Sequence, residues 1–207
     1  MNTRADRPPM GISTETSFAN KKAYAGFLNS FNRGQLSHIK SATTDLFAST
    51  AQVNASHPMN EASPGDGYFV DVIAPIAHAF EGLTRQNYIM LGGEYLGTEW
   101  VTSTGYFYGH FKNPLFGIPA SNKMAFLRFG EFHRMEFGKI VETHVYLGFA
   151  ELIIALGLWP LAESQGYEGV VPGPATHDGM VHSFSDPAQS LASANLVEGM
   201  LKLLATK

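Results

Sequence analysis

The chain has 207 residues, no cysteine, 44% hydrophobic and 15% charged residues, and a formal net charge of −4. Without cysteine there is no disulfide, thiolate nucleophile or thiolate metal site, and without a basic run there is no surface for neutralising phosphates, so no nucleic-acid partner is expected. The polar N-terminus with Pro8-Pro9 is unlike a signal peptide and no apolar run approaches the ~18 residues that span a bilayer, so the expectation is a cytoplasmic protein with no membrane partner.

The length fits one domain with an appended tail. The charged share lies below the roughly 25% of soluble domains, which points to surface covered in a homodimer. Residues 1–16 read as disordered, 17–162 as the folded domain, and 163–207 as a loop plus a C-terminal helix. Tyr24, Phe27, Leu28 and Phe31 recur at helical spacing and predict a helix over 18–31 that ends at Gly34. A second helix is predicted over 36–49, carrying Leu36, Ile39, Leu46 and Phe47. A short strand over 51–57 follows, closed by Pro58, and then a loop over 61–67. Residues 68–80 read as a helix with Phe69, Val72, Ile73, Ile76 and Phe80 on one stripe and a kink at Pro75.

Strands over 87–96 and 99–111 meet at a Gly97-Thr98 turn. A Pro- and Gly-rich connection over 111–122 leads into a hairpin whose arms are 123–134 and 139–147, around a four-residue loop, Met135-Glu136-Phe137-Gly138. Residues 149–156 form a short helix stopped by Gly157, 166–187 an irregular loop, and 188–204 a final amphipathic helix. This order predicts an α+β fold, with helices packed on one face of a curved, mainly antiparallel sheet.

The hairpin holds the candidate chemistry. If Arg134 pairs with Lys139, then Glu131 opposes Glu142 and Phe129 opposes His144. Leu127, Phe129, Glu131, His133, Ile140, Glu142, His144 and Tyr146 then share one face. Opposed carboxylates repel unless they are hydrated or share a proton. One reading is a half-solvated sheet face. The other is a cavity wall on which Glu131, His133 and His144 supply acid and base groups, because an imidazole beside a carboxylate suits proton abstraction next to a carbonyl. Trp100, Tyr106, Tyr108 and His110 share parity on another strand and read either as core aromatics or as the lining of a cavity for a flat ligand. No helical His-x-x-x-His or Glu-x-x-His spacing supports a metal, and the Gly117-Ile118-Pro119 turn lacks the features of a phosphate loop.

Gly109-His110 … Phe116-Gly117-Ile118-Pro119-Ala120-Ser121-Asn122-Lys123, followed by Arg134 … Gly138-Lys139-Ile140-Val141-Glu142, resembles the signature of SnoaL-like polyketide cyclases, in the nuclear transport factor 2-like superfamily. His57-Pro58 matches a His-Pro often found there. The resemblance spans roughly residues 22–161. It implies a cone-shaped α+β barrel whose open end holds an apolar or polycyclic ligand. The activity it implies is intramolecular aldol closure by a sheet carboxylate and a histidine, with no metal or cofactor. His57 and His110 fall at its motif positions, and with Trp100, Tyr108 and Tyr146, which line the expected cavity, they are the candidate ligand contacts. Where members commonly carry an Asp just after the last strand, this chain has Gly148. Two functions follow: cofactor-free cyclase, isomerase or lyase chemistry on a small carbonyl compound, or a ligand-binding or dimeric assembly module without chemistry.

Overall fold

The computed structural model describes residues 15–31, 35–162, 169–180, 183–184 and 186–205. The predicted disorder of 1–14 and the helix stop at Gly34 lie outside them, while Glu15 and Thr16 already belong to the first helix. In chain order the elements are α1 (Glu15–Leu28), α2 (Leu36–Leu46), β1 (Phe47–Ala55), β2 (Glu61–Ala62), a π-helical turn (Tyr68–Ile73) running into α3 (Ala74–Ala79), β3 (Phe80–Tyr95), β4 (Thr98–Phe111), β5 (Met124–Glu136), β6 (Lys139–Leu147), α4 (Phe149–Ala155), a 3-10 turn (Asp178–Met180) and α5 (Pro187–Ala205).

The strands form one open, mixed sheet in the order β2-β1-β6-β5-β4-β3. Only β1 and β6 run parallel; the other neighbours are antiparallel. Alternation sorts the side chains. Val101, Ser103, Phe107, Leu127, Phe129, Glu131 and His133 are buried on the inner face, under α1 and the π-helical turn. Tyr24, Phe27 and Phe31 of the first helical segment and Tyr68, Phe69, Val72 and Ile73 of the turn supply the opposing layer. The predicted α+β cone is therefore present.

Three boundaries move for local reasons. Phe47 leaves helical geometry at φ −85°, ψ 143°, so β1 starts there and not at 51; burying Phe47, Ala51 and Val53 in the core outweighs continuing the helix. Pro75 cannot donate a backbone hydrogen bond; the turn before it widens to π geometry, with the Ala74 N–H bonded to the Phe69 carbonyl, and the helix regains α form over α3. Strand β3 begins at Phe80, seven residues ahead of its predicted start. Register shifts between Glu81 and Thr84 and between Asn87 and Ile89 break the alternation that would have revealed it.

The hairpin departs most from expectation. Its turn is two residues, Phe137 and Gly138, both at positive φ (49° and 74°), with Glu136 paired to Lys139. Two residues in the left-handed region give the type I′ geometry that matches strand twist. A register shift then falls between Arg134 and Met135, so Arg134 opposes Glu142, His133 opposes Thr143, and Phe132 opposes His144. A one-residue slip exchanges the faces of a strand. Thr143, Val145 and Leu147 accordingly point inward, while Glu142, His144 and Tyr146 share the outer face with Phe132 and Arg134.

The outer face is partly covered. The Val171 N–H donates to the Tyr106 hydroxyl at 2.9 Å, and Gly173 and Gly179 pass so close to Tyr88 that a Cβ on either would meet it at 2.4 Å or less. Residues 169–180 thus strap β3 and β4 before α5 begins. Within the described residues, no helix is long and apolar enough to cross a membrane.

Candidate functional site

The sheet separates two polar centres that the sequence had grouped together. The inner one is built on Glu131. Its carboxylate receives Arg85 NH2 at 2.6 Å and Arg85 NH1 at 3.2 Å, the Tyr24 hydroxyl at 2.8 Å on Oε2 and the Tyr68 hydroxyl at 2.8 Å on Oε1. Arg85 also donates NH2 to Tyr24 and NH1 to Tyr68, and Nε to the Asn87 Oδ1. Because the Tyr24 proton goes to Glu131, the Ser103 hydroxyl donates to Tyr24 (2.8 Å), and Asn87 Nδ2 in turn donates to Ser103 (3.0 Å). His133 Nε2 lies 3.3 Å from Glu131 Oε2, and its Nδ1 lies 2.7 Å from the Thr143 hydroxyl. An ionised Glu131 makes Nε2 the donor and leaves Nδ1 to accept from Thr143.

Glu131 and His133 are fully buried. Burial alone would raise the Glu131 pKa, but the Arg85 guanidinium and the His133 hydrogen bond hold it well below the usual carboxylate range. Burial drives both tyrosine hydroxyls upward, so they stay protonated as donors. Burial opposes the charge on Arg85, yet Glu131 keeps it ionised, and the guanidinium sits over the Phe129 ring at 4.2 Å and the Phe31 ring at 5.0 Å. Each carboxylate oxygen is shared among three donors or two, and none is reachable by solvent. The cluster is saturated by the protein itself.

The outer centre follows from strand register. One row across the sheet reads Leu91, Thr102, Phe132, His144; the next reads Gly93, Trp100, Arg134, Glu142. Tyr146 stands one step further, opposite Gly130, whose missing side chain leaves the floor open beside it. Helix α5 stands over these rows and presents Ser190, Ser193, Ala194, Val197 and Glu198. Between helix and sheet lies a groove of about 940 Å³. The His144 Nε2 is 2.9 Å from Glu142 Oε1, and Glu142 Oε2 receives Arg134 Nε at 2.8 Å. The hydrogen bonds from Arg134 and then His144 lower the Glu142 pKa. His144 is thereby an oriented imidazole beside Trp100, whose ring centre is 6.3 Å away, while Phe132 and Tyr146 meet edge to face at 6.0 Å.

Of the residues expected to act together, the structure unites Trp100, His144 and Tyr146 on the groove. It places Glu131 and His133 on the opposite side of the sheet, because the bulge in the hairpin reverses β6 alone. Tyr108 lies on the outer face against Phe126 (6.0 Å), away from the groove. His110 is exposed near the end of β4, and His57 is exposed in the turn after β1, where the His57–Pro58 peptide is cis. Sequence reasoning missed Arg85, Tyr24 and Tyr68 as partners of Glu131. Arg85 was hidden because its strand start was hidden. Within the described residues, no group of three His, Asp or Glu side chains converges as a metal site.

No protein-family model and no curated protein match the sequence. Solved structures do share the fold. AclR from Streptomyces galilaeus, a candidate hydroxylase, superposes with TM-score 0.56 at 19% identity, covering 70% of this chain and 88% of that one. A candidate SnoaL-like polyketide cyclase from a Jannaschia species does so with TM-score 0.56 at 15% identity, covering 75% and 99%. IdmH from Streptomyces antibioticus, a candidate polyketide cyclase, gives 0.53 at 18%, covering 67% and 98%. The chain shares the α+β fold of these structures, as the motifs implied. At these identities the likeness speaks to fold, which hosts many chemistries.

Proposed function

We propose that the protein binds a flat, apolar, carbonyl-bearing small molecule in the outer groove, and that the Glu131 cluster is a structural part of the core. The observation that supports this is the contrast between the two centres. Every donor and acceptor around Glu131 is consumed internally, whereas the groove offers aromatic floor, open volume and an imidazole with one side free. Such a concave, largely apolar surface with few polar groups is the usual form of a small-molecule site. The test is titration with 2-acetonaphthone, followed by tryptophan fluorescence in a Trp159→Phe background so that Trp100 alone reports. Quenching should weaken at least about tenfold in Tyr146→Ala, a loss of about 1.4 kcal/mol, and persist in Glu131→Gln. Equal affinity in Tyr146→Ala would reject the groove.

A second reading is cofactor-free proton transfer of the kind the polyketide cyclase names suggest. The His144–Glu142–Arg134 relay favours it, since a carboxylate-oriented imidazole is suited to remove a proton next to a carbonyl. Exchange of the methyl protons of 2-acetonaphthone into heavy water, followed by NMR, separates the readings. Exchange above the buffer rate that disappears in His144→Ala identifies an enzyme; binding without exchange identifies a carrier. We also propose that two copies associate. The support is α5, whose Leu196, Leu203 and Leu204 are 73–76% exposed, an apolar surface that a lone soluble chain rarely leaves open.

A further inference from the structure

The groove carries an amine that neither reading uses. Lys21 occupies a position on the buried stripe of α1, with Ser17 and Tyr24 a turn either side, where the helix would ordinarily place an apolar residue. Its stem lies on Gly92 of β3, the edge strand of the sheet. A Cβ on Gly92 would stand 2.7 Å from Lys21 Cγ and 2.8 Å from Cδ, so the glycine is what admits the lysine. The residue is only 8% exposed, yet from the inner face it reaches the lining of the groove at the β3 edge, three strands from His144. Within the described residues its Nζ makes no ion pair or hydrogen bond. The charged or titratable groups that share the groove are Glu94 and Tyr95 of β3, His144 and Tyr146 of β6 and Glu198 of α5. Burial lowers the Lys21 pKa from its ordinary value.

We infer that Lys21 captures the carbonyl group of a groove-bound aldehyde or ketone as an imine. This rests on the proposal that the groove holds an apolar carbonyl compound. The unprotonated Nζ adds its lone pair to the carbonyl carbon; the C–N bond forms as the C=O π pair moves to oxygen, which takes up a proton. Nitrogen then loses a proton, the hydroxyl is protonated and leaves as water, and the C=N bond forms. The net change is one water released, with no oxidant or reductant. A desolvated lysine without a carboxylate partner is the form in which this residue serves as a nucleophile toward carbonyls. The protons are exchanged with water in the groove, because His144 stands on β6, three strands across the sheet from β3.

The test uses the full chain, cinnamaldehyde as probe and sodium cyanoborohydride to reduce any imine to a stable secondary amine, with the site located by peptide mass mapping. Lys22, the next residue on the same helix, is exposed and serves as the internal reference. The expected result is that Lys21 is alkylated several-fold faster than Lys22 at pH 7, and that the excess vanishes in Lys21→Arg. Equal labelling of Lys21 and Lys22 in the wild-type chain overturns the inference and leaves Lys21 as a side chain that merely carries its charge along an apolar surface. Cinnamyl alcohol, which lacks the carbonyl, separates the two proposals. If cinnamyl alcohol or 2-acetonaphthone quenches tryptophan fluorescence while cinnamaldehyde gives Lys21 no preference, imine formation alone fails; if 2-acetonaphthone does not quench, the groove reading fails and takes the inference with it.

Discussion

Glu131→Gln probes the structural assignment of the inner cluster. The substitution keeps the shape and removes the charge that answers Arg85, leaving a guanidinium enclosed by Phe31, Phe107 and Phe129. Breaking a buried pair from one side costs about 3–5 kcal/mol. The amide also turns an NH2 toward groups that are themselves donors, because both Tyr24 and Tyr68 give their protons to this carboxylate. For a chain of this size about 1 kcal/mol moves Tm by roughly 2–4 °C, so Tm should fall by roughly 6–20 °C at pH 7, read by circular dichroism. The pH dependence has a definite sign. The folded-state pKa of Glu131 is depressed below its ordinary 4.5, so its contribution is complete above that value and is lost as pH falls toward the folded pKa. The gap between wild type and variant should be constant from about pH 8 to 5 and narrow below about 4.5. A double variant, Arg85→Leu with Glu131→Leu, should lose less than the sum of the single changes, because neither charge is stranded; it still orphans two tyrosine hydroxyls at about 1–3 kcal/mol each. An unchanged or raised Tm in Glu131→Gln would refute the assignment, since polar groups that strain a fold are retained for function.

Phe137→Asn should stabilise the hairpin by a few tenths of a kcal/mol or more, because Phe137 is fully exposed with φ 49° and Asn-Gly suits a type I′ turn; chemical denaturation at fixed m-value measures it. Gly105→Ala should destabilise by about 2 kcal/mol or more, since its Cβ would lie 2.0 Å from the Gln86 carbonyl oxygen, a backbone atom that cannot swing aside. Leu196→Glu combined with Leu203→Glu should convert a dimer to monomer in sedimentation at micromolar concentration without lowering Tm of the sheet domain; a wild-type monomer would refute association. Tyr106→Phe should speed proteolysis between 169 and 180, because it removes the acceptor for the Val171 N–H.

Most of the fold was legible because long alternating runs and the stripes of α1 and the 68–80 segment obey simple periods. The inner face of β5 was legible for the same reason: Leu127, Phe129, Glu131 and His133 point together as alternation requires. What failed was the partner strand. A shorter turn and a bulge at Arg134–Met135 together shift β6 against β5, and that shift carries Glu142, His144 and Tyr146 through the sheet. Neither feature has a signature beyond Phe137-Gly138 itself. Arg85 and Lys21 escaped for another reason. Charged residues are expected on surfaces, and only the three-dimensional positions of Glu131 and Gly92 explain why these two are enclosed. The groove depends on α5, which is far in sequence from the strands it faces.

The strap over β3 and β4 bears on where the domain can be cut. Motif likeness fades near residue 161, which invites a boundary there. Ending the polypeptide at that point would uncover Tyr88 and Tyr106, strip the Tyr106 phenol of an amide partner and delete one whole bank of the groove. A shortened version built on the motif alone would therefore present sticky, unshielded aromatic strands and lack the pocket whose ligand one would hope to find with it.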